Sequence, residues 1–238
     1  MASANPAPSG SVDFARCFTF VTEDPEWIVK VLIGGLFALL SVVLVGLPFV
    51  LGYVARTLKR VVAGEARPLP AWDDLGGIFG DGLRVFGVQI VYSLGVAAVA
   101  LAPLCLVGAG AIALGTSAER VSGAEDVVGA VGGLGLLAFW GLAMLAGLAL
   151  AIYLPAALVR TVMRESFGEG FNFGANVGFI KANVGNYALC VVAYIVAAFV
   201  AQFGIILCFF GFFPASFWSY LVAAHGLGQT VRLNPTSA

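Results

Sequence analysis

The chain has 238 residues, of which 61% are hydrophobic and 11% are charged, and its formal net charge is -1. Because ordinary soluble domains carry about 25% charged residues, this chain has too few charged side chains to cover a water-facing surface. The net charge also argues against the basic stripe expected of a nucleic-acid-binding protein. We therefore expect an integral membrane protein whose partners are membrane lipids, with other membrane-protein subunits as further candidates and no nucleic acid.

The N-terminal region is predicted to be a flexible tail followed by a short amphipathic helix. Residues 1–11 are small and polar and lack a core-forming pattern. Phe14, Phe18 and Val21 then recur at helical spacing with polar residues between them. Such a helix ahead of a membrane span is expected to lie on the membrane surface. The first apolar run lacks the leader and cleavage site of a signal peptide, so we expect it to be retained.

Four long stretches of the chain contain no Asp, Glu, Lys or Arg. A helix crosses a bilayer with about 20 apolar residues, so each stretch can cross at least once and the last can cross twice. The runs are continuous rather than alternating, which favours helices over a barrel. The stretches are 31–55, 85–118, 127–159 and 182–231. The predicted fold is an all-α polytopic transmembrane helical bundle, a single membrane domain over residues 12–238.

The chain shows weak internal repetition. Segments 73–84 and 168–186 resemble the first amphipathic segment, and Leu-Pro or Phe-Pro pairs recur in the later part of each unit. Three repeat-like units are predicted, each a cytoplasmic amphipathic interfacial helix followed by a helical hairpin, which gives about six spans. They cover about residues 12–64, 72–165 and 168–232. Residues 28–62 are short for two crossings, so five spans remain the alternative.

Basic residues test the orientation of these hairpins. If every hairpin begins and ends on one side, that side holds all 12 Lys and Arg residues except Arg120. The positive-inside rule assigns such a side to the cytoplasm. We expect a multi-pass protein of the prokaryotic cytoplasmic (inner) membrane with both termini in the cytoplasm.

Two parts of the sequence carry a resemblance to a known family. They are the stretch with Gly52-Tyr53, Arg56, Lys59-Arg60, Gly64-Glu65, Pro68 to Asp74, Phe79 and Asp81-Gly82-Leu83, and the later run His225-Gly226-Leu227-Gly228-Gln229. In these residues the chain resembles, over about residues 14–232, a family of uncharacterised prokaryotic polytopic membrane proteins classed as a domain of unknown function. The resemblance implies the membrane class and a cytoplasmic loop at Trp72, and it implies no activity.

A basic cluster beside a tryptophan is the first candidate site. Arg56, Lys59, Arg60 and Arg67 lie close to Trp72 in sequence. Juxtamembrane bases attract anionic lipids with about 1 kcal/mol each, so these five residues are candidate lipid or partner contacts. The alternative, which we favour, is topology-setting charge with an interfacial aromatic anchor.

His225 and Gln229 are the second candidate pair for lipid or partner contacts. His225 is the only histidine of the chain, and Gln229 follows four residues later. A single haem or chlorin ligand is chemically possible, but hydrogen bonding between packed helices or at the interface is favoured.

No catalytic, metal or cofactor site is expected from the sequence. Asp73, Asp74 and Asp81 are candidate acid/base or cation-binding carboxylates, but Asp73-Asp74 lies where a helix N-cap and first turn favour acids, and we favour this capping interpretation. The four cysteines occur singly, without a C-x-x-C motif, and are interpreted as small hydrophobes. We therefore expect a protein that is not an enzyme.

Two classes of function remain. The first is a non-enzymatic accessory or interaction subunit of a membrane complex, or a lipid-associated scaffold. The second is a transporter, permease or lipid-handling protein, which the repeats and the proline-interrupted helices would fit. No charged residue lies at mid-membrane depth, and this counts against an ion-coupled pump.

Overall fold

The computed structural model describes residues 10–118, 124–206 and 210–235, with the side chains of 111–118 and 124–128 excepted. Every regular element in these ranges is a helix, as the sequence predicted. Two compact units are present: the chain up to Val88 together with the chain from Pro155 onward, and Gln89–Leu154. The predicted tail up to residue 9, Arg120 and Cys208 lie outside the described residues.

Eight α-helices follow one another along the described chain, and short 3-10 helices extend or precede four of them. The 3-10 helices are Phe20–Glu23 after α1, Ser41–Val43 after α2, Gly168–Phe171 before α6 and Phe203–Ile206 after α7. The α-helices are α1 Phe14–Thr19, α2 Trp27–Leu40, α3 Leu47–Ala63, α4 Leu75–Ala118, α5 Ala124–Met163, α6 Phe173–Ala182, α7 Val184–Gln202 and α8 Phe212–Leu233.

Three described helical segments are long and apolar enough to cross a membrane: Leu75–Gly110, Gly129–Met163 and Val184–Ile206. A fourth is added if the bent pair Phe14–Glu23 and Trp27–Val43, which meet at 102°, is counted as one broken span. The chain is thus a helical protein with three or four membrane-span candidates by length and composition.

The first unit is built around α8, against which α2, α3 and α7 pack. On the side of α2 and α3 the buried side chains include Phe217 and Leu221 of α8. Gly34 makes this approach possible, because a Cβ atom there would lie 2.1 Å from the Phe217 ring. A Cβ atom at Gly35 would likewise meet Pro214. Phe20, which precedes α2, stacks on His225 in the second half of α8, so α2 and α8 run antiparallel.

Helices α3 and α4 cross with their backbones in contact. A Cβ atom at Gly82 would lie 1.6 Å from the carbonyl oxygen of Pro48, and one at Gly52 would lie 1.9 Å from the carbonyl oxygen of Ile78. Glycine is required at both positions because the neighbouring atoms are backbone and cannot move aside. This crossing fixes the start of α4 beside α3.

The second unit consists of the later part of α4 and most of α5. The hydroxyl oxygens of Tyr92 and Tyr153 lie 3.3 Å apart, and Gly135 lies against Val107. Large apolar side chains are exposed on both helices, among them Leu106 and Trp140. A surface of this kind is suited to lipid or to another apolar partner.

The prediction of three interfacial helices is wrong for one of them. Residues 73–84 do not form a separate amphipathic helix, because α4 begins at Leu75 and continues without a break through Ala118. The first predicted helix is present as α1, but Cys17 is buried and the helix packs against α7 and α8. The third segment does contain a separate helix, α6, which ends at Ala182 before α7 begins.

Candidate functional site

Ion pairs gather at one end of the first unit, which we call the charged end. They connect the start of α2, the end of α3, the start of α4 and the end of α5. The pairs are Lys30–Asp24, Arg56–Asp74, Arg56–Asp81, Lys59–Glu165 and Arg160–Glu169. The turns after α2 and α7 instead expose apolar residues, among them Val42, Leu44 and Ile206, and we call this the apolar end.

Arg56 joins α3 to the start of α4. Its Nε donates to Asp81 Oδ2 at 2.8 Å, and its Nη2 donates to Asp74 Oδ2 at 2.9 Å. The other carboxylate oxygen of Asp74 accepts the backbone N–H of Gly77 at 2.9 Å, which caps α4 as the sequence predicted. The Gly77 N–H and the Arg56 guanidinium hold the pKa of Asp74 below its usual value.

Two further bases of the predicted cluster also have partners within the chain. Lys59 Nζ lies 2.6 Å from Glu165 Oε1, and this hydrogen bond lowers the pKa of Glu165. Arg60 donates to the carbonyl oxygen of Leu69 at 3.3 Å. Arg67 is exposed. The four predicted bases therefore do not form one patch of unpaired charge.

Trp72 holds the loop between α3 and α4 against α2. Its indole Nε1 donates to the carbonyl oxygen of Lys30 at 3.1 Å, and its ring stacks on Tyr53 at 4.3 Å and on Phe37 at 5.0 Å. Tyr53 in turn donates its hydroxyl to the carbonyl oxygen of Pro70 at 2.8 Å. The predicted interfacial anchor is thus also part of the packed interior.

A cavity of about 240 Å³ lies beside this tryptophan, and we call it the Trp72 groove. Charged and apolar side chains line it together. Lys30 Nζ donates to Asp24 Oδ2 at 2.7 Å and lies 3.9 Å from Glu26 Oε2. The lining residues are Glu26, Val29, Lys30, Ile33, Ala71 and Trp72. Sequence reasoning missed Glu26 and Lys30 as site residues, although their spacing of four at the start of a helix was a signal.

His225 lies inside the first unit rather than at a ligand-accessible surface. The residue is 5% exposed, and its ring stacks on Phe20 with the ring centroids 4.2 Å apart. Its Nδ1 lies 2.9 Å from Gln229 Nε2. The structure therefore brings the second predicted pair together, in contact with the segment that carries α1.

Gln229 and Asn186 bind the backbone just before α1, and we call them the N-terminal clasp. Gln229 Oε1 accepts the N–H of Asp13 at 2.8 Å, and Gln229 Nε2 donates to the carbonyl oxygen of Asp13 at 3.3 Å. Asn186 Oδ1 accepts the N–H of Val12 at 3.1 Å. Sequence reasoning missed Asn186, because no local pattern links it to a segment so far away in the chain.

Within the residues that the structure describes, no group of three or more His, Cys, Asp and Glu side chains converges on a possible metal position. Cys17, Cys105 and Cys190 are free thiols. Cys190 Sγ lies 3.3 Å from Thr230 Oγ1 in a buried position between α7 and α8.

Comparison with known proteins gives one family. The model of a family described as "Protein of unknown function (DUF4013)" matches residues 35–210. No curated protein and no solved structure matches this chain.

Proposed function

Since this chain belongs to the DUF4013 family of proteins of unknown function, as the resemblance indicated, we propose that it is a non-enzymatic integral membrane protein. Its proposed role is that of an accessory or interaction subunit of a membrane complex, or of a lipid-associated scaffold. The proposed location is a prokaryotic cytoplasmic membrane. The family brings no activity, so the proposal rests on the site.

The observation that carries this proposal is the internal pairing at the charged end. Arg56, Lys59 and Arg160 each bind a carboxylate of the same chain, so each pair joins a helix to another segment. Lys59 and Asp81 also line a cavity of about 10 Å³, which has room for about one water molecule. Charges used in this way fix the arrangement of helix ends. What remains for external partners is the outward apolar surface of α2, α5 and α7, where many large side chains are exposed.

The transporter alternative would need polar residues facing a shared cavity. Gln202 donates to the carbonyl oxygen of Ala198 within its own helix, and His225 is packed against Phe20. The Trp72 groove and the small cavity at Lys59 and Asp81 are lined by neither of these two side chains. These positions support the scaffold proposal more than the transporter proposal.

We propose six spans, with the charged end in the cytoplasm. The three hairpins would be α2 with α3, α4 with α5, and α7 with α8. Residues Trp27–Val43 cover about 25 Å at about 1.5 Å per residue, against about 30 Å of hydrocarbon, so the first hairpin is the shallowest. Support comes from the uncharged apolar end and from the basic residues Lys30, Arg56 and Lys59 at the charged end.

The test is purification of the tagged chain in nanodiscs formed directly from native membranes, followed by mass spectrometry of all proteins and lipids present. The expected result is one or more components in a fixed ratio to the chain, absent from an unrelated tagged membrane protein prepared in parallel. The proposal fails if the chain is recovered alone, retains its stability without lipid and moves a solute across reconstituted vesicles.

A further inference from the structure

The Trp72 groove has the features of a lipid-binding site. We propose that it binds one aminophospholipid, with the phosphate at Lys30 Nζ, the amine at the Glu26 carboxylate and one acyl chain along α2. This inference rests on the proposed membrane function and names the lipid class that the protein recognises.

The charges of the groove are complementary to a zwitterionic headgroup. Lys30 Nζ has three N–H donors, of which one binds Asp24 at 2.7 Å and a second is directed at the carbonyl oxygen of Leu69 at 3.4 Å. Its distance of 3.9 Å to Glu26 exceeds hydrogen-bond length. The Lys30 side chain is 12% exposed and its charge is already paired with Asp24, so a phosphate takes only its remaining donor, while the Glu26 carboxylate, 75% exposed, accepts a hydrogen bond from the ammonium group.

The apolar side of the groove continues as an unpartnered surface of α2. Val29 lines the groove and is 58% exposed. Leu32, Leu36 and Leu40 are also exposed and follow at helical spacing toward the apolar end. From Val29 to Leu40 the helix rises by about 16 Å at about 1.5 Å per residue, which is close to half of a hydrocarbon layer about 30 Å thick. One acyl chain of one leaflet covers this length.

The size and depth of the groove fit a headgroup. Its volume of about 240 Å³ is too small for a partner helix. Trp72 forms one wall and is held by Tyr53 and Lys30. Tryptophan is enriched at the headgroup level of membranes, so the groove lies where a phosphate and an amine would be found.

The experiment compares two matched substitutions on α2. Val29→Trp fills the groove, whereas Ile28→Trp adds the same bulk at a neighbouring residue, 55% exposed, that does not line it. Each purified full-length protein is reconstituted in nanodiscs with equal amounts of phosphatidylethanolamine and phosphatidylglycerol, and lipid retained after release into mild detergent is counted by native mass spectrometry.

The wild-type protein and Ile28→Trp should each retain one phosphatidylethanolamine, and Val29→Trp should retain at least tenfold less. Glu26→Gln should lose the preference for phosphatidylethanolamine over phosphatidylglycerol, while Glu23→Gln, outside the groove, should keep it. Thermal unfolding of each variant confirms that it is folded.

The inference is overturned if Val29→Trp and the wild type retain equal lipid, if both tryptophan variants lose it equally, or if phosphatidylglycerol is preferred. Recovery of a stoichiometric partner protein together with any of these results would leave the proposed function standing and remove only the lipid site. Recovery of the chain alone, stable without lipid and moving a solute across reconstituted vesicles, would remove both.

Discussion

At the scale of single residues, Arg56 illustrates how a base in a membrane protein can be committed to the fold. Its guanidinium reaches Asp74 and Asp81 through two different nitrogen atoms, a geometry that the fork of arginine provides and the point charge of lysine does not. Asp74 also caps α4. One carboxylate thus stabilises both the helix start and the connection to α3.

This arrangement predicts a loss of stability in acid. Because the folded-state pKa of Asp74 is lowered, its contribution is fully present above the unfolded-state pKa of about 3.9 and is lost as pH falls through the folded value. We expect the melting temperature in detergent to fall below about pH 4. The Asp74→Asn protein should show a weaker dependence, measured by differential scanning fluorimetry.

Asp73→Asn, at the exposed neighbouring residue, is the matched control and should follow the wild-type pH curve. The Asp74→Asn protein should still lose some stability in acid, because Lys59 also lowers the pKa of Glu165 in the folded state. An identical pH profile in wild type and Asp74→Asn would show that the Asp74 contacts do not contribute to stability.

At the scale of elements, the crossing of α3 and α4 depends on the absence of side chains. The atoms facing Gly82 are the backbone carbonyl of Pro48 and the backbone nitrogen of Gly52. A methyl group at residue 82 would clash with these backbone atoms, which can move only if the two helices separate. A change of side-chain rotamer cannot relieve this clash.

We predict that Gly82→Ala lowers the free energy of unfolding by about 3 kcal/mol, at the upper end for overpacking. At about 2–4 °C per kcal/mol for a chain of this size, the melting temperature should fall by about 10 °C. Gly80→Ala, on the same helix with open space around it, should be neutral or stabilising by about 0.5–1 kcal/mol. Equal effects of the two substitutions would contradict the close crossing.

Helix α1 has six residues, which are too few for a stable isolated helix. We therefore expect the N-terminal clasp to hold it in place. Gln229→Ala removes the acceptor and the donor that bind Asp13. We expect amide exchange over residues 13–19 to accelerate about tenfold, equivalent to about 1.4 kcal/mol. Mass-spectrometric hydrogen exchange would measure this change.

Gln202→Ala is the control for that change, because Gln202 donates to the carbonyl oxygen of Ala198 within its own helix. Exchange over residues 13–19 should match the wild type in this variant. If the amides of α1 remain protected from exchange in the Gln229→Ala protein, the apolar contacts of the buried residues Phe20 and Val21 are sufficient to hold the helix.

At the scale of the whole molecule, the separation of charged and apolar ends in the first unit predicts its orientation. Glu65 is exposed and lies 3.8 Å from Arg60 at the charged end. In a background in which the native cysteines are replaced by serine, Glu65→Cys should react with a membrane-impermeant maleimide only after the cells are permeabilised. Leu44→Cys at the apolar end should react in intact cells if the first hairpin crosses, because its turn then reaches the outer interface. Labelling of Glu65→Cys in intact cells would reverse the proposed orientation.

Much of the helical architecture could be predicted because it follows from local composition. Continuous apolar runs without strand-like alternation specify helices in lipid, and the acidic residue before Leu75 predicted the cap of α4. The sequence could not show that residues 73–84 continue into the long apolar helix. Polar residues are compatible with either a separate short helix or the first turns of a longer one, and α4 continues through Leu83 and Arg84 without a break.

The candidate site was predictable only in part. Trp72, Arg56 and Lys59 were found because bases and aromatics cluster in sequence, whereas their partners Lys30, Asp81 and Glu165 come from distant segments. Sequence proximity therefore suggested one basic cluster, whereas the fold pairs Arg56 and Lys59 with different carboxylates.

By itself the sequence determined the class of this protein, an all-helical chain suited to lipid, because this property depends on composition along the chain. Only the tertiary structure decided that α8 lies at the centre of the first unit, that Gln229 and Asn186 hold the N-terminal segment, and that Glu26 and Lys30 meet Trp72 at a groove. These contacts join residues far apart in the chain, and their geometry is set by close backbone approach at glycines and by hydrogen bonds that no local pattern records.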